Sequence, residues 1–217
     1  MTVSSPKNPH LTRRLLVGLG FGAVMGAAGY VFGRTLLPQL IGPDALDGLD
    51  LRWSDALAAL TGIALMIGAG AVMVISLDPR RLARMYHLEE PASPEEVGQA
   101  RFQAAVLGFS GFILLLPLVF ALAGLAGGLA MGLIILLFAL HTVLNIRMWR
   151  GVDELLRRTT LEAATATFFL GQGLLFLWAA AERLSLLPPL TAWDVYAVLM
   201  TLYLFVSAVV SARRGLA

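Results

Sequence analysis

Long apolar runs, each ending against arginines, are what most constrain this chain. Residues 15–37, 53–77, 102–122, 127–146, 163–181 and 193–210 each approach or exceed the roughly 20 residues that a helix needs to cross a bilayer. They are uniformly apolar and lack the period-two alternation of a membrane β-barrel. Hydrocarbon offers no water to unpaired backbone groups, so each run satisfies its own N–H and C=O groups only as a helix. The expected fold is therefore all-α: a polytopic transmembrane helix bundle of six spans, forming a single integral membrane domain over residues 1–217. Composition agrees, with 58% hydrophobic and 14% charged residues against about 45–50% and about 25% in soluble domains.

The arginines set the orientation. Residues 1–12 read as a flexible cytoplasmic tail, and 78–100 and 147–162 as cytoplasmic connections. With both termini inside, thirteen of the 16 basic residues fall on the cytoplasmic side, leaving Arg34, Arg52 and Arg183 outside. That is the positive-inside bias expected of an N-in/C-in protein. Thr12-Arg13-Arg14-Leu15 is similar to a twin-arginine export signal, but further spans follow, so the first span is expected to be retained.

Local signals mark several helix starts. Asp78-Pro79 pairs an N-cap with proline in the first turn. Ser93-Pro94-Glu95-Glu96 and Thr191 with Asp194 have capping-box spacing. The third helix is thus expected to begin before its span, which it enters near Arg101, and to bend at Pro117. Small residues along the helices (glycines 18, 22, 26, 29 and 33 at steps of three or four; Ala58, Gly62, Ala64 and Gly68; Gly124, Gly128 and Gly132) let helices approach closely.

Polar groups at membrane depth are costly, so they are where function is sought first. Ser110, His141, Asn145 and Gln172 lie at such depths and form the candidate intramembrane polar cluster. No carboxylate lies deep in any span, which argues against a proton-coupled pump. Only His141 is deep enough for a haem ligand, and there is no cysteine, which removes disulfides and thiolate chemistry. His87 with Glu89 and Glu90 lacks metal-ligand spacing. No phosphate loop, nucleophile elbow or paired-carboxylate motif is present. An enzyme would need groups converging from His87, Glu89, Glu90 and Glu154. No cofactor is expected, and the arginines lack the interleaved aromatics of a nucleic-acid surface.

The charged island 147–162 separates two apolar runs. Asp153 and Glu154 suit a helix N-terminus, and Asp153–Arg157, Glu154–Arg158 and Arg158–Glu162 have the four-residue spacing of helical ion pairs. Asp153, Glu154, Arg157, Arg158 and Glu162 form a candidate cytoplasmic docking surface. Asp153-Glu154-Leu155-Leu156-Arg157-Arg158 followed by Leu161-Glu162-Ala163 resembles a family of uncharacterised bacterial multi-pass inner-membrane proteins. The resemblance covers about the last third of the chain. It implies a bacterial inner-membrane location and supplies no catalytic residue. The expected partners are the lipid bilayer and either another membrane protein or further copies of the chain. The expected role is that of an accessory membrane module acting by helix–helix interaction. The alternative is a small-solute transporter or channel built on Ser110, His141 and Gln172.

Overall fold

A computed structural model of the chain describes residues 52–86 and 88–214, which belong to one compact unit, Arg52–Ala217. The expected first span, its glycine face and the tail lie outside the described residues, as does His87. The described residues form six helices: α1 (Trp53–Ile75), α2 (Pro79–Met85), α3 (Pro94–Leu122), α4 (Gly127–Gly151), α5 (Glu154–Arg183) and α6 (Ala192–Arg213). All but α2 are long and apolar enough to cross a membrane.

The helix starts follow their local chemistry. Asp78 accepts from the Arg80 amide at 2.9 Å with Pro79 in the first turn of α2. Ser93 and Glu96 close a reciprocal capping box, so α3 starts well before its apolar stretch and runs on through Pro117. Thr191 and Asp194 do the same for α6. Two interhelical turns need left-handed backbone. Gly124 (φ 63°) supplies it after α3, without a Cβ penalty. After α5 the same role falls to Ser185 (φ 59°), where a side chain makes that conformation unfavourable.

Principal packing runs in the order α4, α3, α1, α6, α5. The two helices joined by only Val152 and Asp153 therefore pack at opposite ends of that series. The tightest crossing is α1 on α3. A Cβ at Gly62 would lie 2.8 Å from the Gly111 carbonyl oxygen, and one at Gly111 would lie 3.0 Å from Leu65 Cβ. Ala58, Leu114 and Ala197 then bury where α1, α3 and α6 meet. Gly171 on α5 lies against Leu199 of α6, and Ala163, Val206 and Val210 bury along that pair. The connection between α1 and α3 folds back on itself: Leu82 of α2 is fully buried with Ala92 and Ala100, against Val72, Ile75 and Val97.

Helix α4 is different. None of its residues is buried. Ala130, Ile134, Leu137, His141, Leu144 and Met148 are half-buried at helical spacing and form the stripe that meets α3. Gly128 and Gly132, expected as packing positions, have nothing within 4 Å of where a Cβ would stand.

Candidate functional site: polar contacts between helices

The membrane-depth contact is centred on His141. Ser110 sits one turn from Val106 on α3, and its hydroxyl reaches the Val106 carbonyl at 3.0 Å. The same Oγ lies 2.7 Å from His141 Nε2 on α4. Phe109 meets the imidazole edge-on, with centroids 5.7 Å apart, and Phe138 tilts against it at 6.5 Å. Ser110 and His141 are both half-buried. Their bond is the polar rivet in the middle of the α3–α4 contact.

Asn145 lies one turn beyond His141 and donates to the His141 carbonyl at 2.9 Å. Its Nδ2 is 3.2 Å from Nδ1 and 3.0 Å from Nε2. A nitrogen almost equidistant from both ring nitrogens at that range cannot lie in the ring plane without striking the carbon between them, so it sits over the ring face. Asn145 is therefore not placed to orient the ring through an Nδ1–H bond, as the third member of a nucleophilic triad would be. Ser110, in turn, has a ready acceptor for its proton in Val106. The arrangement joins two helices and is not set up to activate a serine.

Gln172 does not join this group. It is exposed on α5, a helix whose principal packing partner is α6, and it hydrogen-bonds to none of Ser110, His141 and Asn145. The structure thus brings together three of the four expected residues and separates the fourth.

At the arginine-rich end, the charges pair partly as their spacing suggests. Arg158 Nε donates to Glu154 at 2.8 Å, which holds the Glu154 carboxyl below its ordinary range. Arg157 turns to Glu154 at 3.8 Å rather than to Asp153. Asp153 instead accepts from the Leu156 amide at 2.7 Å as the N-cap of α5. Glu162 pairs with Arg214 at the end of α6, 52 residues away, and not with Arg158. Arg101 donates to Ser76 Oγ and to the Ser76 carbonyl, each at 3.0 Å, and so ties α3 to the C-terminus of α1. Gln99 donates to the Gly151 carbonyl at 2.8 Å, where α4 ends. The five residues of the expected docking surface are thus engaged within α5, with Arg214 at the end of α6 and with Trp149 of α4.

The opposite end carries a polar clamp for which only fragments were visible in the sequence. Arg52 at the N-cap of α1 donates to Thr191 Oγ1 at 2.8 Å and lies 3.4 Å from Asp194. Trp193 Nε1 donates back to Asp55 at 2.7 Å. The N-termini of α1 and α6 are therefore cross-linked in both directions. Ser54 and Asp194 are buried here. Trp53 stacks on Trp178, whose Nε1 donates to the Pro188 carbonyl at 3.0 Å. Thr61 and Thr201, with oxygens 2.8 Å apart, join α1 to α6 deeper in the helices. The available signals were the capping box at Thr191 and the tryptophans at two helix starts. Nothing local linked residue 52 to residue 194.

Among the described residues, no three His, Asp or Glu side chains gather as a metal site. Glu89 and Glu90 are exposed. The chain matches no known protein family, curated protein or solved structure. The resemblance carried by Asp153-Glu154 and Leu161-Glu162-Ala163 therefore rests on those residues alone.

Proposed function

We propose that this is a six-span inner-membrane protein of a bacterium, with both termini in the cytoplasm, that works as an accessory module by presenting α4 to another membrane protein. The observation that carries this reading is the one-sided packing of α4. The helix has 25 residues, no buried side chain, and a single half-buried stripe turned to α3. Association in lipid depends on close packing and interhelical hydrogen bonds, since lipid tails are as apolar as the helices. In α1 and α6 those resources are spent inside the molecule. In α4 the glycines at 128 and 132 remain open. The six-span, N-in/C-in arrangement is supported by the distribution of basic residues.

The transporter alternative requires Ser110, His141 and Gln172 to line one path. It loses support because Gln172 stands apart and Phe109 and Phe138 flank the His141 ring.

The test uses the absence of native cysteine. Single cysteines at Leu136, Leu140 and Val143, on the exposed side of α4, should give one cross-linked product of defined size in cell membranes. Cysteines at Ala130 or Ile134, on the stripe facing α3, should not. Equal products from both sides of the helix, or none from either, would overturn the proposal.

A further inference from the structure

We infer that the C-terminal turn of α4 binds the headgroup of an anionic phospholipid through Arg147 and Arg150. Several arginines at this end are committed to protein partners. Arg158 and Arg214 spend N–H donors on carboxylates, Glu154 and Glu162. Arg101 spends its donors on Ser76. Arg147 does neither. Its guanidinium lies over the Phe102 ring, 5.6 Å from the centroid. A guanidinium held by its face keeps the N–H groups of its edge free, and among the described residues no carboxylate pairs with that edge. Arg150, three residues on and thus on the adjoining side of the same turn, is exposed and likewise has no carboxylate partner among them.

Across the Val152–Asp153 connection, Arg157 repeats the device. Its guanidinium lies 5.6 Å over Trp149, and its Nε is buried without a partner. Its one carboxylate contact, Glu154 at 3.8 Å, is shared with Arg158. The acids closest in sequence are therefore committed: Asp153 to the α5 cap and Glu154 to two arginines. A surplus of positive charge remains at this corner, where Arg147 and Arg150 are exposed.

The occupant that fits is a phosphodiester at bilayer headgroup depth. Arginine forks bind phosphate oxygens through paired N–H donors, and each arginine near an anionic membrane surface strengthens attraction by about 1 kcal/mol, or roughly five-fold in affinity. The site also has a structural consequence. Helix α4 has little protein around it, so a lipid held by Arg147 and Arg150 would anchor its end where Gln99 alone now bonds the terminal carbonyl. The inference needs α4 to cross the bilayer but does not depend on what covers its apolar side, so cross-linking on α4 and lipid selectivity fail independently.

The full chain in mild detergent, titrated with phosphatidylglycerol or phosphatidylcholine of matched acyl chains and read by native mass spectrometry, tests this. Phosphatidylglycerol should be retained in preference. Arg147→Gln and Arg150→Gln should each weaken that retention about five-fold, while Arg147→Lys and Arg150→Lys keep most of it and Arg158→Gln changes little. Retention equal for both lipids, or unchanged in both glutamine variants, overturns the proposal. So does displacement of phosphatidylglycerol by millimolar inorganic phosphate. If a glutamine variant does not fold, the wild-type lipid preference and the Arg158→Gln comparison still decide it.

Discussion

Helices α1 and α4 are alike in sequence and opposite in packing. Both are apolar along their length, and both carry small residues four apart: Ala58 and Gly62 in one, Gly128 and Gly132 in the other. In α1, Ala58, Thr61, Gly62, Leu65 and Ala69 are buried, between α3 on one side and α6 on the other. In α4, no residue is. The difference is the number of faces used. Helix α1 meets two long neighbours and closes on them with small residues, a threonine pair and a terminal clamp. Among the described residues, helix α4 has one principal neighbour and closes on it with a single stripe, the Ser110–His141 bond and, at its end, the Gln99 and Arg147 contacts. In lipid, apolarity places a helix in the bilayer but does not tell it what to touch.

The sharpest way to break this comparison is to add one methyl group. Gly62→Ala or Gly111→Ala places a Cβ inside the α1–α3 crossing and should destabilise the protein by about 1–3 kcal/mol. Gly128→Ala and Gly132→Ala meet open space and should stay within about 0.5 kcal/mol of wild type. Unfolding by steric trapping in bicelles reads both. A similar cost at Gly128 or Gly132 would mean that α4 is packed on a second side.

The two left-handed turns give a smaller effect of opposite sign. Ser185→Gly should raise stability by about 1 kcal/mol, and Gly124→Ala should lower it by about the same amount. Thermal unfolding in detergent is the measurement. If Ser185→Gly lowers stability, the serine side chain contributes more than its conformation costs.

Removing the polar rivets should cost less. Ser110→Ala and Thr61→Val each delete one interhelical hydrogen bond, which averages about 0.6 kcal/mol in a measured membrane case. Their consequences should diverge even so. Ser110→Ala should mobilise spin labels on α4 and leave α1 unchanged, because α3 is the principal contact that α4 has. Thr61→Val should mobilise neither, because the α1–α3 crossing and the terminal clamp hold α1.

The smallest effect concerns pH at the start of α5. The Arg158 hydrogen bond and charge hold Glu154 below the ordinary glutamate value of 4.5. A depressed carboxyl contributes stability that is fully present above that value and is lost as pH falls through the lower, folded one. Hydrogen-exchange protection at the first turn of α5, taken relative to the intrinsic rate at each pH, should therefore fall below about pH 4.5 in wild type. Glu154→Gln should remove most of that dependence.

How much of this was legible depends on range. Asp78, Ser93, Asp153 and Thr191 were readable as helix starts because a cap satisfies amides two or three residues away. That Ser110, His141 and Gln172 lie at membrane depth was readable because helical rise fixes depth. Rotation about the helix axis is not fixed by depth, which is why Gln172 was grouped with them and in fact stands apart. The partners of Glu162 and Arg52 lie 52 and 142 residues away. Four-residue spacing proposed Arg158 for Glu162, and the structure supplies Arg214. Likewise Gly62 and Gly128 look equivalent in the sequence, because nothing in a small-residue pattern states whether a second helix arrives.

The most direct test is an oxygen-accessibility scan by spin labelling of the purified chain in lipid nanodiscs. Labels at Leu129, Leu136 and Val143 of α4 should be as accessible to oxygen as a lipid-facing site, while labels at Leu65 and Ala69 of α1 are shielded. Shielding at the α4 positions equal to that at Leu65 would show that α4 is already enclosed within the protein, and the account of it as an open interaction helix would fail.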